Sequence, residues 1–456
     1  MNIIIVGCGQ VGTTLASQLN AEGHNITVID MSAEKVKMVT NKIDAMGVIG
    51  NGASHLTQQE ANIKEADLLI AVTDSDELNL LCCIIAKKEG SCQTIARVRD
   101  PAYNGEASYL KNELGLAMVI NPELAAAEEI ARVLRFPSAI SIETFAKGKV
   151  ELLKFKLPED SPIVGMSVRD VMASYKCDIL FCTAERGDDA YITKGDFVFE
   201  AKDIISIIAS PRRAAAFFKK INYKTDSVKD AIIVGGGEIT HYLCAICKGA
   251  GINLKVIDDD AEVCEEFCAE FPYVTVINAD TSEQEALQAE GVARADAFLA
   301  LKDLDEENIF LSLYAKGQCH GKLVTKIKRI DYDDVIGHLE LDTVIYPKNI
   351  TANMIVRYAR AMGKNTGSNM ETFYSIIKGK IDAYEFIIRE GSPVVGKPLA
   401  ELRFRRNVLI AAILRGKQVI TPRGYDSILP GDSVVVVSEA ISGLGDISDL
   451  LEEKHK

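Results

Sequence analysis

Apolar residues along the chain fall into two alternating patterns. Short continuous runs, Ile3–Val6, Ile26–Ile29, Ala45–Ile49, Ala66–Val72, Gln93–Val98 and Ala117–Ile120, read as buried strands. Between them, apolar positions recur at helical spacing, as at Val11, Leu15 and Leu19. Strands separated regularly by helices predict a parallel, doubly wound α/β sheet. A last helix is expected from the Asn121-Pro122 cap to Phe136-Pro137, rich in alanine (Ala125, Ala126, Ala127, Ala131) and suited to close packing on its own sheet or on that of another subunit. From about Ser138 to Ile221 the pattern shifts to short strands, Ile140–Phe145, Val150–Phe155, Ile179–Thr183 and Ile204–Ile208, with turns at Lys147-Gly148-Lys149 and Gly187-Asp188-Asp189. Without regular crossover helices these predict a small α+β domain.

The second half repeats the first. Gly7 and Gly9 recur as Gly235 and Gly237, and Asp30 as Asp258. Asp74-x-Asp76-Glu77-x-Asn79 recurs as Asp303-x-Asp305-Glu306-x-Asn308, and Asn121-Pro122 as Tyr346-Pro347. Ser161-Pro162-Ile163-Val164-Gly165 recurs as Ser392-Pro393-Val394-Val395-Gly396. The fold expected is two Rossmann-like domains (1–137 and 229–362), each followed by a small α+β domain (138–221 and 368–450). Asn222–Lys229 and Gly363–Asn369 are the expected linkers.

The chemistry concentrates where strands end. Gly7-Cys8-Gly9-Gln10-Val11-Gly12 lies in strand, turn and helix order. Gly7 permits the tight turn, Gly9 a close approach to a pyrophosphate, and Gly12 close packing of helix on strand. The helix N-terminus favours an anion. Asp30 ends the next strand, where a carboxylate accepts ribose hydroxyls and repels a 2′-phosphate, so NAD is expected rather than NADP. Asn51-Gly52-Ala53-Ser54, after Gly50, suits an adenine or sugar and equally an ordinary turn. Thr73 and Asp74 follow the fourth strand, with Asp74 or Asp76 expected to cap the next helix. Arg97 and Arg99 share a face and suit a terminal phosphate, or else surface carboxylates. In the second repeat Gly235, Gly237, Glu238, Ile239 and Asp258 are expected to form a weaker or different nucleotide site, or equally a purely structural copy. Thr240 replaces Gly12 and is expected to crowd the helix and alter the turn, while Lys326 and Lys328 replace the arginines.

Composition narrows the choice. The 456 residues carry 51 basic and 65 acidic side chains, a net charge of −14 that argues against nucleic acid or anionic lipid as partner. No apolar run reaches membrane-spanning length, and a soluble, unexported protein is expected. Eleven cysteines, an odd number, suit free thiols in a reducing compartment. Cys244, Cys247, Cys264 and Cys268 have zinc-like spacing but fall on amphipathic helices, and no metal site is expected. Asp188, Asp189 and Asp203 read as turn residues.

With these motifs in this order, above all the GCGQVG turn, Asp30, the Thr73–Asn79 segment and the repeated Ser-Pro-x-x-Gly, the chain resembles the TrkA family. These are cytoplasmic regulatory subunits of Trk-type potassium uptake systems, built from tandem RCK (KTN) domains. The resemblance implies a homo-oligomeric ring, dimeric or tetrameric, held peripherally at the inner membrane face by a separate potassium-conducting subunit. It implies NAD(H) or ATP/ADP as ligand, with the glycines facing phosphates, Asp30 the ribose, Asn51 to Ser54 the adenosine, Thr73 and Asp74 the cleft mouth, and Arg97 and Arg99 the distal phosphate. No catalytic residue is implied. An NAD-dependent oxidoreductase would need a general acid or base, and neither small domain holds a histidine before the tail. Lysine, tyrosine or a carboxylate could serve instead, so an NAD-dependent oxidoreductase and a non-sensing structural adaptor both stand as alternatives.

Overall fold

The computed structural model describes residues 1–100, 103, 109, 112–145, 149–223, 228–328, 336, 338–339, 341–363, 369–377, 379–441 and 444–452. The expected turn at Lys147-Gly148 and the middle of both linkers, 224–227 and 364–368, lie outside them.

The chain forms two compact units, one of residues 1–135 and 227–356, the other of residues 136–226 and 357–456. In the first unit, strands β1 (Asn2–Val6), β2 (Asn25–Asp30), β3 (Ala45–Ile49), β4 (Leu68–Ala71), β5 (Gln93–Arg97) and β6 (Met118–Ile120) make a parallel sheet in the order β3-β2-β1-β4-β5-β6. Helices α1 (Gln10–Ala21), α2 (Ala33–Lys42), α3 (His55–Glu60), α4 (Asp76–Glu89) and α5 (Pro122–Arg135) alternate with the strands or follow them. Near-continuous apolar strands such as Ile3-Ile4-Ile5-Val6 are buried because helices cover both faces. The strand order reverses between β1 and β4, which places the crevice of this sheet beyond the carboxyl ends of those two strands.

Helix α5 leaves its own sheet. Ala126, Ala127, Ile130 and Leu134 are fully buried in one core with Leu243, Cys244, Leu254 and Phe271 of the second repeat. Small side chains on α5 let the helix axes approach closely, so the alanines join the two repeats of one chain.

The small domains share the second unit, reached after the helices α6 (Val168–Tyr175) and α7 (Pro211–Lys220) are added to the first of them. Strands β7 (Ser141–Phe145), β8 (Val150–Lys156), β9 (Leu180–Arg186), β10 (Asp189–Ile192) and β11 (Ile204–Ala209) form an antiparallel sheet, β10-β9-β11-β8-β7. The sequence reading leaves out β10, a short, half-exposed edge strand with little apolar periodicity, and does not place the two helices, although α7 buries Ala214, Phe217 and Phe218 on one face.

The second Rossmann-like sheet comprises β12 (Asp230–Val234), β13 (Asn253–Asp258), β14 (Thr275–Asn278), β15 (Ala297–Ala300), β16 (Lys322–Lys326) and β17 (Thr343–Ile345), in the same order as the first. Its helices are α8 (Glu238–Cys247), α9 (Ala261–Glu270), α10 (Gln284–Ala289), α11 (Asp305–Gln318) and α12 (Pro347–Gly363). The second small sheet has β18 (Met370–Ile377), β19 (Ile381–Ile387), β20 (Val408–Arg415), β21 (Gln418–Ile420) and β22 (Ser433–Glu439), and the strand order of the first is reproduced. Phe145, Leu152 and Ile208 pack with Ile381, Ala383, Val435 and Val437, so the two small sheets bury one core between them.

Asp203 is no plain turn residue. Its carboxylate, fully buried, accepts from Arg186 Nε and Nη2, both at 2.8 Å, and from the Glu200 amide at 2.9 Å. Arg415 and Asp432 repeat the fork at 3.0 and 2.8 Å. Removing one arm strands a buried charge. Arg186→Ala is therefore expected to cost about 2–3 kcal/mol, less than a fully buried pair because the guanidinium is partly solvated, and urea denaturation will measure it.

Candidate functional site

The two glycine turns have nearly the same backbone. Gly7 has φ +103° and Gly235 +109°, and a Cβ on Gly7 would lie 2.9 Å from the Val72 carbonyl oxygen. The Asp30 carboxylate accepts from the amides of Cys8 at 2.7 Å and Ser32 at 2.8 Å, and Asp258 does the same for Gly236 at 2.6 Å and Asp260 at 2.9 Å. Each carboxylate so braces its turn and keeps acceptor capacity for a hydroxyl. The expectation that Thr240 distorts the second turn is wrong. Thr240 is fully buried and its hydroxyl donates to the Gly235 carbonyl at 2.6 Å, converting a crowded contact into a hydrogen bond.

The helix starts differ electrically. Helix α1 begins at Gly9 with no side-chain cap and no acid in its first turn, leaving its amide donors and dipole uncompensated. Gly9 has nothing within 4 Å of its would-be Cβ, so the turn is open to a ligand. Helix α8 also starts uncapped, at Gly237, but Glu238 stands in its first turn.

Matching positions of the two repeats line one cavity of about 560 Å³. Gly9, Gln10 and Val11 face Gly237, Glu238 and Ile239 across it. Arg97 and Arg99 share it with Lys326 and Lys328, and Asp74 with Asp303. Pro122-Glu123 and Pro347-Lys348, the starts of α5 and α12, complete it. Sequence reasoning treats the two clefts separately and omits Glu123 and Lys348. Both follow the last strand of their sheet at its carboxyl end, the signal that could have found them.

Arg97 is buried and donates to the Thr73 carbonyl at 2.5 Å and to Asp74 at 3.4 Å. Arg99 Nη2 donates to the Asp74 carbonyl at 2.8 Å. Burial, then the neighbouring Arg99, lowers the proton affinity of Arg97, and burial, then Lys328, lowers that of Lys326. Asp303 accepts from Lys328 at 2.6 Å and Lys326 at 3.3 Å, and the Lys328 hydrogen bond holds its carboxyl below the usual range. Tyr242 of α8 donates to the Arg99 carbonyl at 2.7 Å, while Asn121 donates to the Tyr242 hydroxyl at 3.0 Å. These bonds tie the arginine strand of one repeat to a helix of the other.

Other predicted residues lie elsewhere. Asp30, Asn51 to Ser54, Thr73 and Asp258 are not part of the cavity wall. Asn51 forms a local turn, its Oδ1 accepting from the Ala53 amide at 2.9 Å, and the buried Gln58 holds the loop by donating to the Gly52 and Cys82 carbonyls. The Thr73 hydroxyl donates to Asn79 at 2.7 Å. Helix α4 is capped by Ser75, which accepts from the Leu78 amide, and not by Asp74 or Asp76. The Asp76 carboxylate instead accepts from the amides of Arg99 and Asp100. Cys244 and Cys247 lie in the core, burial pushing their thiols up to about 12 and about 11, and among the described residues no group of three or more candidate ligands is placed to hold a metal.

Glu123 Oε2 is buried without a hydrogen-bond partner, and burial, with Glu238 adding, raises its carboxyl above the usual value. A group that binds its proton more tightly when folded loses stability as pH rises from the unfolded value toward the folded one. Glu123→Gln is thus expected to melt higher than wild type at pH 8, the gap closing as pH falls toward about 4.3, in paired thermal scans.

Two tandem Rossmann-like sheets with brace carboxylates and paired small antiparallel sheets define an RCK-type architecture. The chain matches the TrkA-N domain over residues 3–122 and 231–347 and the TrkA-C domain over residues 152–222 and 383–440. It is 30% identical over 452 residues to the Trk system potassium uptake protein TrkA homolog 1 of Methanosarcina mazei, covering 96% of this chain and 98% of that one. It is 29% identical to the Trk system potassium uptake protein TrkA of Haemophilus influenzae, covering 99% of each. The chain belongs to the TrkA family. A solved structure of the GsuK channel bound to NAD shares the fold, with TM-score 0.63, 17% identity, and 96% of this chain and 76% of that one covered. One of GsuK bound to ADP has TM-score 0.50, 15% identity, and coverage of 78% and 68%. Among the described residues no helix is long and apolar enough to cross a membrane.

Proposed function

We propose that this chain is the cytoplasmic regulatory subunit of a Trk-type potassium uptake system and gates a separate potassium-conducting membrane protein according to the nucleotide it holds. The observation that carries the reading is the shared cavity, where both glycine turns and five cations, Arg97, Arg99, Lys326, Lys328 and Lys348, converge. A phosphate chain entering it touches both repeats, so its charge and length bias how the repeats are disposed. In this reading Gly9 and the uncapped start of α1 take the phosphates, Asp30 the ribose, and Asn51 to Ser54 the adenosine side. Gly7 and Gly12 shape the turn, Gln10 and Val11 line the cavity, and the buried Cys8 donates its amide to Asp30. The residues fit NAD(H) or ATP/ADP: the turn is open at Gly9, and Asp30 retains lone pairs for hydroxyls. We take 1–137 and 229–362 as the nucleotide-binding domains and 138–221 and 368–450 as the small ones.

The mechanism needs linkage and no reaction on the ligand. A nucleotide that favours one ring conformation by about 1–3 kcal/mol shifts the transporter equilibrium by the same amount. The GsuK channel structures bound to NAD and to ADP support the ligand class, and the full-length match to potassium uptake proteins supports the partner. The test is rubidium uptake by cells lacking this chain, complemented with wild type or with Asp30→Arg. The variant should assemble as wild type yet fail to make uptake follow nucleotide level. Unchanged regulation with nucleotide binding abolished would refute the reading.

A further inference from the structure

The repeats differ most sharply at one position of the crevice. Thr73 follows β4 and Lys302 follows β15, and both donate their amide to the matching asparagine, Asn79 or Asn308. Both sit against the glycine turn, since a Cβ on Gly235 would lie 2.7 Å from the Lys302 amide nitrogen. The Lys302 ammonium contacts Asp259, just after β13, at 3.0 Å, and the hydroxyl of Thr281, beyond β14, at 3.2 Å. It also pairs with Glu307 of α11 at 3.0 Å.

Sheet order gives this its meaning. From β15, reaching the ends of β13 and β14 means crossing over the end of β12, because the order is β14-β13-β12-β15. The side chain therefore lies across the crevice through which a nucleotide in a Rossmann-like sheet runs from phosphate turn to ribose acid. It is only 17% exposed, and it is held by three partners on three elements. Thr281, itself buried, stands where the first repeat has Gly52, so a hydroxyl-bearing side chain meets the lysine where the other repeat is bare backbone.

We infer that Lys302 is a built-in bolt across the second crevice, so that this chain takes one adenine nucleotide, at the first repeat, and the second repeat contributes cations without a nucleotide of its own. The inference rests on the reading of the first repeat as the nucleotide site. Two carboxylates around one ammonium leave a surplus negative charge there, which repels a phosphate rather than drawing it. Arg97-type recognition then passes to Lys326 and Lys328, which face the shared cavity.

The experiment is calorimetric titration of the full-length chain with ATP and with NADH. Wild type should bind one ligand per chain and lose it in Asp30→Ala. Lys302→Thr, which installs the residue of the first repeat, should add a second site that persists in the Asp30→Ala/Lys302→Thr double variant. The reciprocal Thr73→Lys should weaken the first site at least tenfold. Lys302→Ala serves as a second opening variant, and melting curves establish that each is folded. A folded Lys302 variant with no added binding overturns the inference, as does wild type binding two ligands. Binding that survives Asp30→Ala but falls with Lys302→Thr also overturns it, by making the lysine a ligand. If wild type binds neither nucleotide, the first-repeat reading fails separately, and the double variant still decides the role of Lys302.

Discussion

Gly12→Val should abolish nucleotide binding and destabilise the first repeat by about 3 kcal/mol or more, the upper end of overpacking costs. A Cβ at position 12 would lie 1.8 Å from the Gly7 carbonyl oxygen and 3.0 Å from its carbon. The obstacle is backbone, not the end of a flexible side chain, so the helix must move off the strand. That movement carries the amides of α1 away from the phosphate position. The second repeat supplies the control, because Thr240 lives at the same juncture by donating to the Gly235 carbonyl. Gly12→Thr is accordingly expected to lose less stability than Gly12→Val. Urea unfolding read alongside calorimetry will separate the two, and equal losses would mean that the hydroxyl is no remedy.

Replacing Arg97 and Arg99 together by alanine should weaken ATP binding about a hundredfold, taking two charge-assisted hydrogen bonds at about 1.5–3 kcal/mol each and discounting for their existing partners. Asp74 and the Thr73 carbonyl already hold Arg97, so part of each bond is exchanged rather than gained. Lys326→Ala should also weaken the ligand at the first turn, by about tenfold. Independent clefts predict no effect from that lysine, since it belongs to the other repeat. Raising salt should shrink both effects less than at a surface site, because Arg97 and Lys326 are buried.

The architecture was legible in the sequence wherever local pattern decides structure. Apolar runs marked the parallel strands, and the recurrence of Gly7, Gly9 and Asp30 as Gly235, Gly237 and Asp258 disclosed the duplication. Asn121 caps α5 as its spacing predicts, accepting from the Leu124 amide at 2.8 Å. What escaped depends on contacts between distant segments. The alanines of α5 showed that a close partner exists but not that it is α8 and the core of the second repeat. Arg186 and Asp203 meet only when β9 and the loop before β11 come together. Thr240 was misjudged because a side-chain volume argument ignores the hydrogen bond its hydroxyl can make. Lys302 carries no motif at all, and its direction across the crevice follows from strand order, a property of the sheet rather than of the residues beside it.

The account stands on a nucleotide held at the first glycine turn. Its most direct test is calorimetric titration of the purified chain with NAD, NADH, ATP and ADP, wild type against Asp30→Ala. The account predicts unequal affinities within at least one pair, lost in the variant, since only a difference in affinity can drive a switch. Equal binding of all four, or binding indifferent to Asp30→Ala, would contradict it.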